Sequence, residues 1–208
     1  MEQSQIFDPI NIPVPKNEIL SRLGFRQGIT KINEKQKKET EGYIDEALCL
    51  IKLKGVAKRF LIQDMDSRKI IIAGGAVFES GLLAEFLKDS SEVLLMAATA
   101  GNRIMEAIAK ESSGNNFTRG VVFDAAASEM ADAGLDWIMS YFNRQLLREN
   151  KTLGKKRFSC GYGDFLLKNQ KTIYGLLKLN DLGIKITENF ILIPEKSVTA
   201  VSGIKGVS

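Results

Sequence analysis

The chain has 208 residues, 44% of them hydrophobic and 26% charged, with a net charge of +4. That size suits one well-buried domain or two small ones, and that balance is near the globular average, so disorder is not the expectation. The small cationic excess is spread along the chain, which argues against a nucleic-acid-binding face, and histidine is absent, which removes the commonest metal ligand and the commonest general base at neutral pH.

Residues 1–15 hold three of the four prolines and read as an extended arm ahead of a single domain over 16–208. "KNEILSRLGF" predicts a helix with Ile19, Leu20 and Leu23 at helical spacing and Gly24 as its stop. "NEKQKKETEGYIDEALCLI" predicts a second helix, capped by Asn33, that buries Ile44, Ala47, Leu48 and Ile51. Three apolar runs predict strands: "KRFLIQDM", "KIIIAG" and "EVLLMAAT". A short helix capped by Ser80 separates the last two, and "AGNRIMEAIAKES" is a helix entered straight from a strand. That alternation over 58–112 reads as a mixed α/β layer.

"VVFDAAASEMADAGLDWIMSYFNRQLLREN" is the strongest helix, with Asp124 as its expected cap. Met130, Gly134, Leu135, Ile138 and Phe142 lie along one side, where small residues let another backbone approach. "KTLGKK" breaks it. A helix in "KNQKTIYGLLKLNDLG" and a strand in "ENFILIPEK" complete the pass.

The longest apolar stretch, "VLLMAATAG" from Val93, is too short to span a bilayer, and "MEQSQIFDPI" lacks the basic and apolar pattern of a signal peptide. Two distant cysteines, Cys49 and Cys160, suit a reducing compartment and offer no metal spacing. These features predict a cytoplasmic protein without membrane or metal. Histidine-dependent serine or cysteine catalysis is excluded within the chain. Trp137 is expected in packing, and Glu188 and Lys196 as surface charges.

The stretch with most chemical content is "RFSCGYGDF". Gly161 and Gly163 permit backbone angles closed to other residues and let a ligand lie against the chain. Arg157 offers a planar fork for carboxylate or phosphate, and Tyr162 a flat apolar face with a polar tip. On spacing alone two readings stand: a loop for a zwitterionic or nucleotide-like ligand, or a tight turn with a packed tyrosine and a surface arginine.

"RFSCGYGDF" followed by "ITENFILIPEKSV" resembles the activation domain of cobalamin-dependent methionine synthase. The family carries an Arg-x-x-x-Gly-Tyr core, and Thr187, Glu188, Pro194, Ser197 and Val198 match its downstream pattern. The resemblance covers the chain closely from Asp124 onward and loosely before it. It implies an α+β fold, a single domain with a twisted antiparallel sheet and flanking helices, and it implies S-adenosylmethionine as ligand. On that resemblance Arg157 would hold the methionine carboxylate, the backbone around Ser159, Gly161 and Tyr162 would line the ligand, and Asp132 would face its positive groups. The chain departs from the family at Phe158, Cys160 and Gly163, where prolines are usual, which predicts a less stiff loop. Asp132 replaces a longer glutamate. Asp64 and Asp66 are the candidates for a further family acid that has no clear counterpart here.

The implied activity is reactivation in trans. A separate cobalamin-binding methionine synthase or other corrinoid protein would carry the cobalamin, because the Asp-x-His-x-x-Gly corrinoid motif needs a histidine. A flavodoxin-like reductant would supply the electron. Two alternatives compete: a corrinoid-protein-binding module that has lost the ligand, and an unrelated transferase using Cys160 as nucleophile.

Overall fold

The computed structural model describes residues 3–26, 28–30, 33–114 and 116–207. In chain order its elements are strand β1 (Gln5–Phe7), helices α1 (Lys16–Arg22) and α2 (Glu34–Leu50), strands β2 (Lys54–Met65), β3 (Lys69–Ile72) and β4 (Ala76–Glu79), helix α3 (Gly81–Leu87), strand β5 (Glu92–Thr99), helices α4 (Asn102–Ser113) and α5 (Phe117–Leu146), strand β6 (Lys151–Leu153), helix α6 (Asn169–Leu177), short strands β7 (Lys185–Ile186) and β8 (Leu192–Ile193), and strand β9 (Ser197–Gly206). Seven strands form one sheet in the order β4–β3–β2–β5–β9–β6, with β1 also on β2, while β7 and β8 form a separate hairpin. Every pairing is antiparallel. The architecture is the expected α+β one. The strand–helix alternation produces no parallel crossover, because β2 pairs β5 antiparallel, Lys54 opposite Thr99.

β5 is buried along its whole length. Leu94, Met96 and Ala98 face α5, against Leu135, Ile138, Phe142 and Leu146. Val93, Leu95 and Ala97 face the opposite layer, with Leu83, Leu87, Ile173 and Leu177 from α3 and α6. Helices α1, α2 and α4 pack around the N-terminal half of α5 through Ile19, Ile44, Ala47 and Ile104. Each of these isoleucines contributes about 1.5–3 kcal/mol on full burial. The small positions allow close packing between α5 and the sheet. Side chains rather than a backbone approach Gly134, where a Cβ would lie 3.2 Å from Leu53 Cδ1 and 3.3 Å from Ala98 Cβ, while one on Gly55 of β2 would lie 2.7 Å from Ile138 Cδ1 and 2.9 Å from the Ala97 carbonyl oxygen.

Ser80 caps α3 by accepting from Leu83 N–H, and Asn33 and Gln36 form a reciprocal capping box on α2. Other local expectations need correction. The arm is extended but stitched into the fold: Gln5–Phe7 pair with Ala57–Gly55, and Ile10 N–H donates to Leu53 O at 2.8 Å. α5 begins at Phe117, capped by Asn116, so Asp124 lies inside the helix, where its carboxylate pairs with Lys196 at 2.8 Å. "KTL" within the helix-breaking segment forms β6. The long strand β9 follows "ENFILIPEK", of which only Leu192–Ile193 is strand.

An ion-pair network ties one end of the sheet to the chain that follows α5. Arg59 contacts Glu92 at 2.8 Å and Glu149 at 2.7 Å, and Lys151 contacts Glu92 at 2.5 Å. The hydrogen bonds from Arg59 hold the Glu149 carboxyl down at about 2, against an ordinary 4.5. No helix among the described residues is long and apolar enough to cross a membrane.

Candidate functional site

The stretch from Gly154 to Phe165 is fastened to the free side of β9. Gly154 N–H donates to Gly203 O, and Phe158 and Val201 exchange two backbone hydrogen bonds of 2.8 Å each. Ser202, fully buried, donates its hydroxyl to Lys156 O at 3.1 Å. Arg157 therefore leaves the strand edge beside α5. Its Nη2 lies 3.3 Å from Asp132 Oδ1, and its Nη1 donates to Asp136. Three-quarters of the Arg157 side chain is shielded from solvent, with 25% exposed. The structure thus brings together Arg157 and Asp132, two residues 25 apart in sequence. Asp136 is a third member that sequence reasoning missed; its signal was the one-turn spacing from Asp132 on the same helix stripe.

Beyond Arg157 the chain dips and returns. Cys160 is buried, and burial pushes its thiol up to about 12. The reactive thiolate is then scarce at neutral pH, which removes the support for Cys160 as a nucleophile. Gly161 has a φ of +91° and Gly163 of +55°. The positive φ calls for glycine at Gly163, whereas a Cβ there would meet only the end of the exposed Leu82 side chain, 2.3 Å from its Cδ1. Gly161 N–H donates to Phe165 O at 2.8 Å and Tyr162 N–H to Ser159 O at 3.4 Å. The amide donors of Gly161 and Tyr162 are spent inside the turn. The half-buried Ser159 and the Tyr162 ring, which is 70% exposed, remain available to a ligand.

The turn contains no proline and is secured by other means. Phe165 is fully buried against Phe78. Asp164, another residue the sequence reading missed, accepts from the Ser80 hydroxyl at 2.5 Å and from Gly81 N–H at 2.7 Å, latching the loop to the start of α3. Those bonds, the Ser80 hydroxyl first, hold its carboxyl below the usual aspartate range.

Asp64 and Asp66 do not join the site. Asp66 accepts from Arg68 and Lys69 N–H groups at 2.7 and 2.8 Å, which closes the β2–β3 turn, and Asp64 is exposed on β2. Trp137 packs as expected, stacked on Tyr141 with centroids 5.6 Å apart. Glu188 is exposed in the β7–β8 turn, whereas Lys196, expected on the surface, is engaged by Asp124 and Ser128.

Chemically, a guanidinium facing two carboxylates beside a glycine-bearing turn can receive a group carrying both charges. The fold is an antiparallel α+β sheet with one long helix laid across it. The sequence matches no family model and no curated protein. Among solved structures, the MetH reactivation domain bound to AdoHcy aligns with this chain at a TM-score of 0.70 and 14% sequence identity, over 97% of this chain and 78% of that one. At that identity the likeness is one of fold.

Proposed function

We propose that this protein is an S-adenosylmethionine-binding module that reactivates, in trans, a separate cobalamin-dependent methionine synthase or other corrinoid methyltransferase by supporting reductive methylation of cob(II)alamin. The observation that carries the reading is the Arg157–Asp132 pair at 3.3 Å, beside the Gly161–Tyr162 turn, on a fold like that of a domain solved with AdoHcy. The amino-acid end of the ligand is a zwitterion. Arg157 would take its carboxylate in a planar fork, Asp132 would take its ammonium, and Ser159, Gly161 and Tyr162 would line the remainder. Bound here, the ligand would supply a methyl group already activated by its sulfonium, so positioning matters more than acid–base groups. A chain without histidine suits that task, and the same absence supports a corrinoid carried by the partner. A flavodoxin-like donor would provide the low-potential electron.

One feature favours a second reading, a corrinoid-protein-binding module without the ligand. Arg157 already contacts two carboxylates, so a ligand carboxylate must displace at least one of them. The test follows the absorbance spectrum of a cob(II)alamin-loaded partner with this protein, reductant and S-adenosylmethionine, omitting each in turn. Methylcobalamin forming only with all components present supports reactivation. Equal rates without this chain defeat it, and docking that ignores S-adenosylmethionine selects the second reading.

A further inference from the structure

Cys160 and Phe165 are both buried, and the four residues between them, Gly161 to Asp164, are all exposed. Their backbone hydrogen bonds stay local. Gly161 N–H donates to Phe165 O at 2.8 Å and Phe165 N–H to Tyr162 O at 3.1 Å, which closes the base of the excursion without tying it to another element. Among the described residues, every hydrogen bond from these four residues to another element or its cap ends on the Asp164 carboxylate. Its Oδ1 accepts from the Ser80 hydroxyl at 2.5 Å and lies 3.3 Å from Leu82 N, and its Oδ2 accepts from Gly81 N–H at 2.7 Å. The far side of that latch is firm, because Ser80 is buried and Leu83 and Leu87 of α3 lie in the core.

The excursion also has hinges. Gly161 and Gly163 stand on either side of Tyr162, both at positive φ, and glycine passes between positive and negative φ at little cost. Apolar cover is thin. The end of Leu82 reaches Gly163, but that side chain is 52% exposed, so water competes for the contact. Ordering four exposed residues around two glycines costs conformational entropy, and the charge-assisted hydrogen bonds of one carboxylate offset it.

We infer that Gly161–Asp164 is a hinged flap and that Asp164 is a positioning residue, which holds the flap closed so that Ser159 and Tyr162 stand where a ligand beside Arg157 would meet them. The consequence for binding rests on the ligand reading above, whereas the flap itself does not. Opening breaks both bonds at the base and leaves Tyr162 without a fixed place, so apparent affinity scales with the closed fraction. Without the Asp164 carboxylate, local bonds and one exposed apolar contact are all that remain, and the open form predominates.

The experiment combines native-state hydrogen exchange with calorimetry of S-adenosylmethionine on the parent protein, Asp164→Ala and Asp164→Asn. In Asp164→Ala the Gly161 and Phe165 amides should exchange roughly five- to fiftyfold faster, the scale of losing hydrogen bonds to a charged group at a solvated site. Their exchange should hardly respond to low urea, the mark of local opening, whereas that of β5 amides should respond steeply. The same variant should bind S-adenosylmethionine roughly three- to thirtyfold more weakly as the closed fraction falls. Asp164→Asn keeps one oxygen acceptor for the Gly81 amide and should fall between the two on both readouts. If Asp164→Ala does not fold, Asp164→Asn against the parent decides. Unchanged exchange at Gly161 and Phe165 overturns the flap. Faster exchange with the parent's affinity overturns the positioning role and leaves the ligand reading standing. A parent that binds no S-adenosylmethionine overturns the ligand reading and the positioning role together, and exchange then decides the flap.

Discussion

Gly55→Ala should destabilise the protein by about 2 kcal/mol. Gly55 lies in β2 where α5 crosses the sheet, and its extended backbone would accept alanine without torsional strain. Space is the obstacle. The new Cβ would meet Ile138 Cδ1 at 2.7 Å, Ile10 Cδ1 at 2.9 Å and the Ala97 carbonyl oxygen at 2.9 Å. The two methyl ends can rotate aside, but the carbonyl is fixed in the β2–β5 ladder. Overpacking costs about 1–3 kcal/mol, with the upper end expected here because the carbonyl cannot move aside, and the entropy gained by removing a glycine from the unfolded chain returns about 0.4–1. For a domain of this size a net loss of about 2 kcal/mol lowers Tm by roughly 4–8 °C. Adding Ile138→Val removes the nearest obstacle. On its own that change costs about 0.5–1.5 kcal/mol, but in the Gly55→Ala background it should cost less or restore stability, giving a coupling above about 0.5 kcal/mol. Urea titrations of the four proteins in the cycle measure this. Gly55→Ala with the parent's stability, or strictly additive changes, would refute the claim that α5 rests this closely on the sheet. The same strain should weaken S-adenosylmethionine binding, because α5 carries Asp132 and Asp136.

Arg157→Ala should weaken S-adenosylmethionine by about 2–4 kcal/mol, the scale of losing a charge-assisted contact to a carboxylate, and equal affinity by calorimetry would remove Arg157 from the site. Cys160→Ala should retain ligand binding and any methylation of a partner, since a thiol held at about 12 is protonated at neutral pH; alkylation of Cys160 in the native state at pH 7.5, on a scale of minutes, would contradict this. The Glu149 carboxyl is depressed from 4.5 to about 2, chiefly by hydrogen bonds from Arg59. Its contribution is therefore complete above pH 4.5 and is lost as pH falls toward 2. Because this side chain is 40% exposed, water screens the pair and the contribution is about 1 kcal/mol or less. Glu149→Gln should flatten the acid limb of the stability curve in that window by this amount, as read from denaturant midpoints at each pH.

The elements legible in the sequence were those whose signal is local. The buried side of α5 followed from residue spacing, and the Ser80 and Asn33 caps from side chains that bond amides three residues on. β9 was illegible for a physical reason. Three of its buried side chains are hydroxyls, each satisfied by a distant partner: Ser197 by Thr99, Thr199 by Gln170, and Ser202 by Lys156 O. A sequence scan reads such residues as polar and exposed. Arg157 stood out because it precedes a glycine turn. Its partner Asp136 and the engagement of Lys196 depend on which loops approach α5, information that no local window contains. Asp124 was misplaced as a cap because the helix signal before it is weak, although Asn116 offers the needed side chain.

The order of strands has a bearing on how the protein is made. β5 is apolar on both faces, yet its partner β9 comes late, with Ser197 98 residues beyond Thr99. During synthesis β5 leaves the ribosome long before β9 exists, so only β2 can cover one of its edges. Closing so long a loop is slow, and in the interval the unpaired edge of a largely apolar strand is open to other nascent chains. Emergence of β9 from the ribosome becomes the moment when the centre of the sheet is sealed, and chaperone dependence should fall sharply once that point has passed.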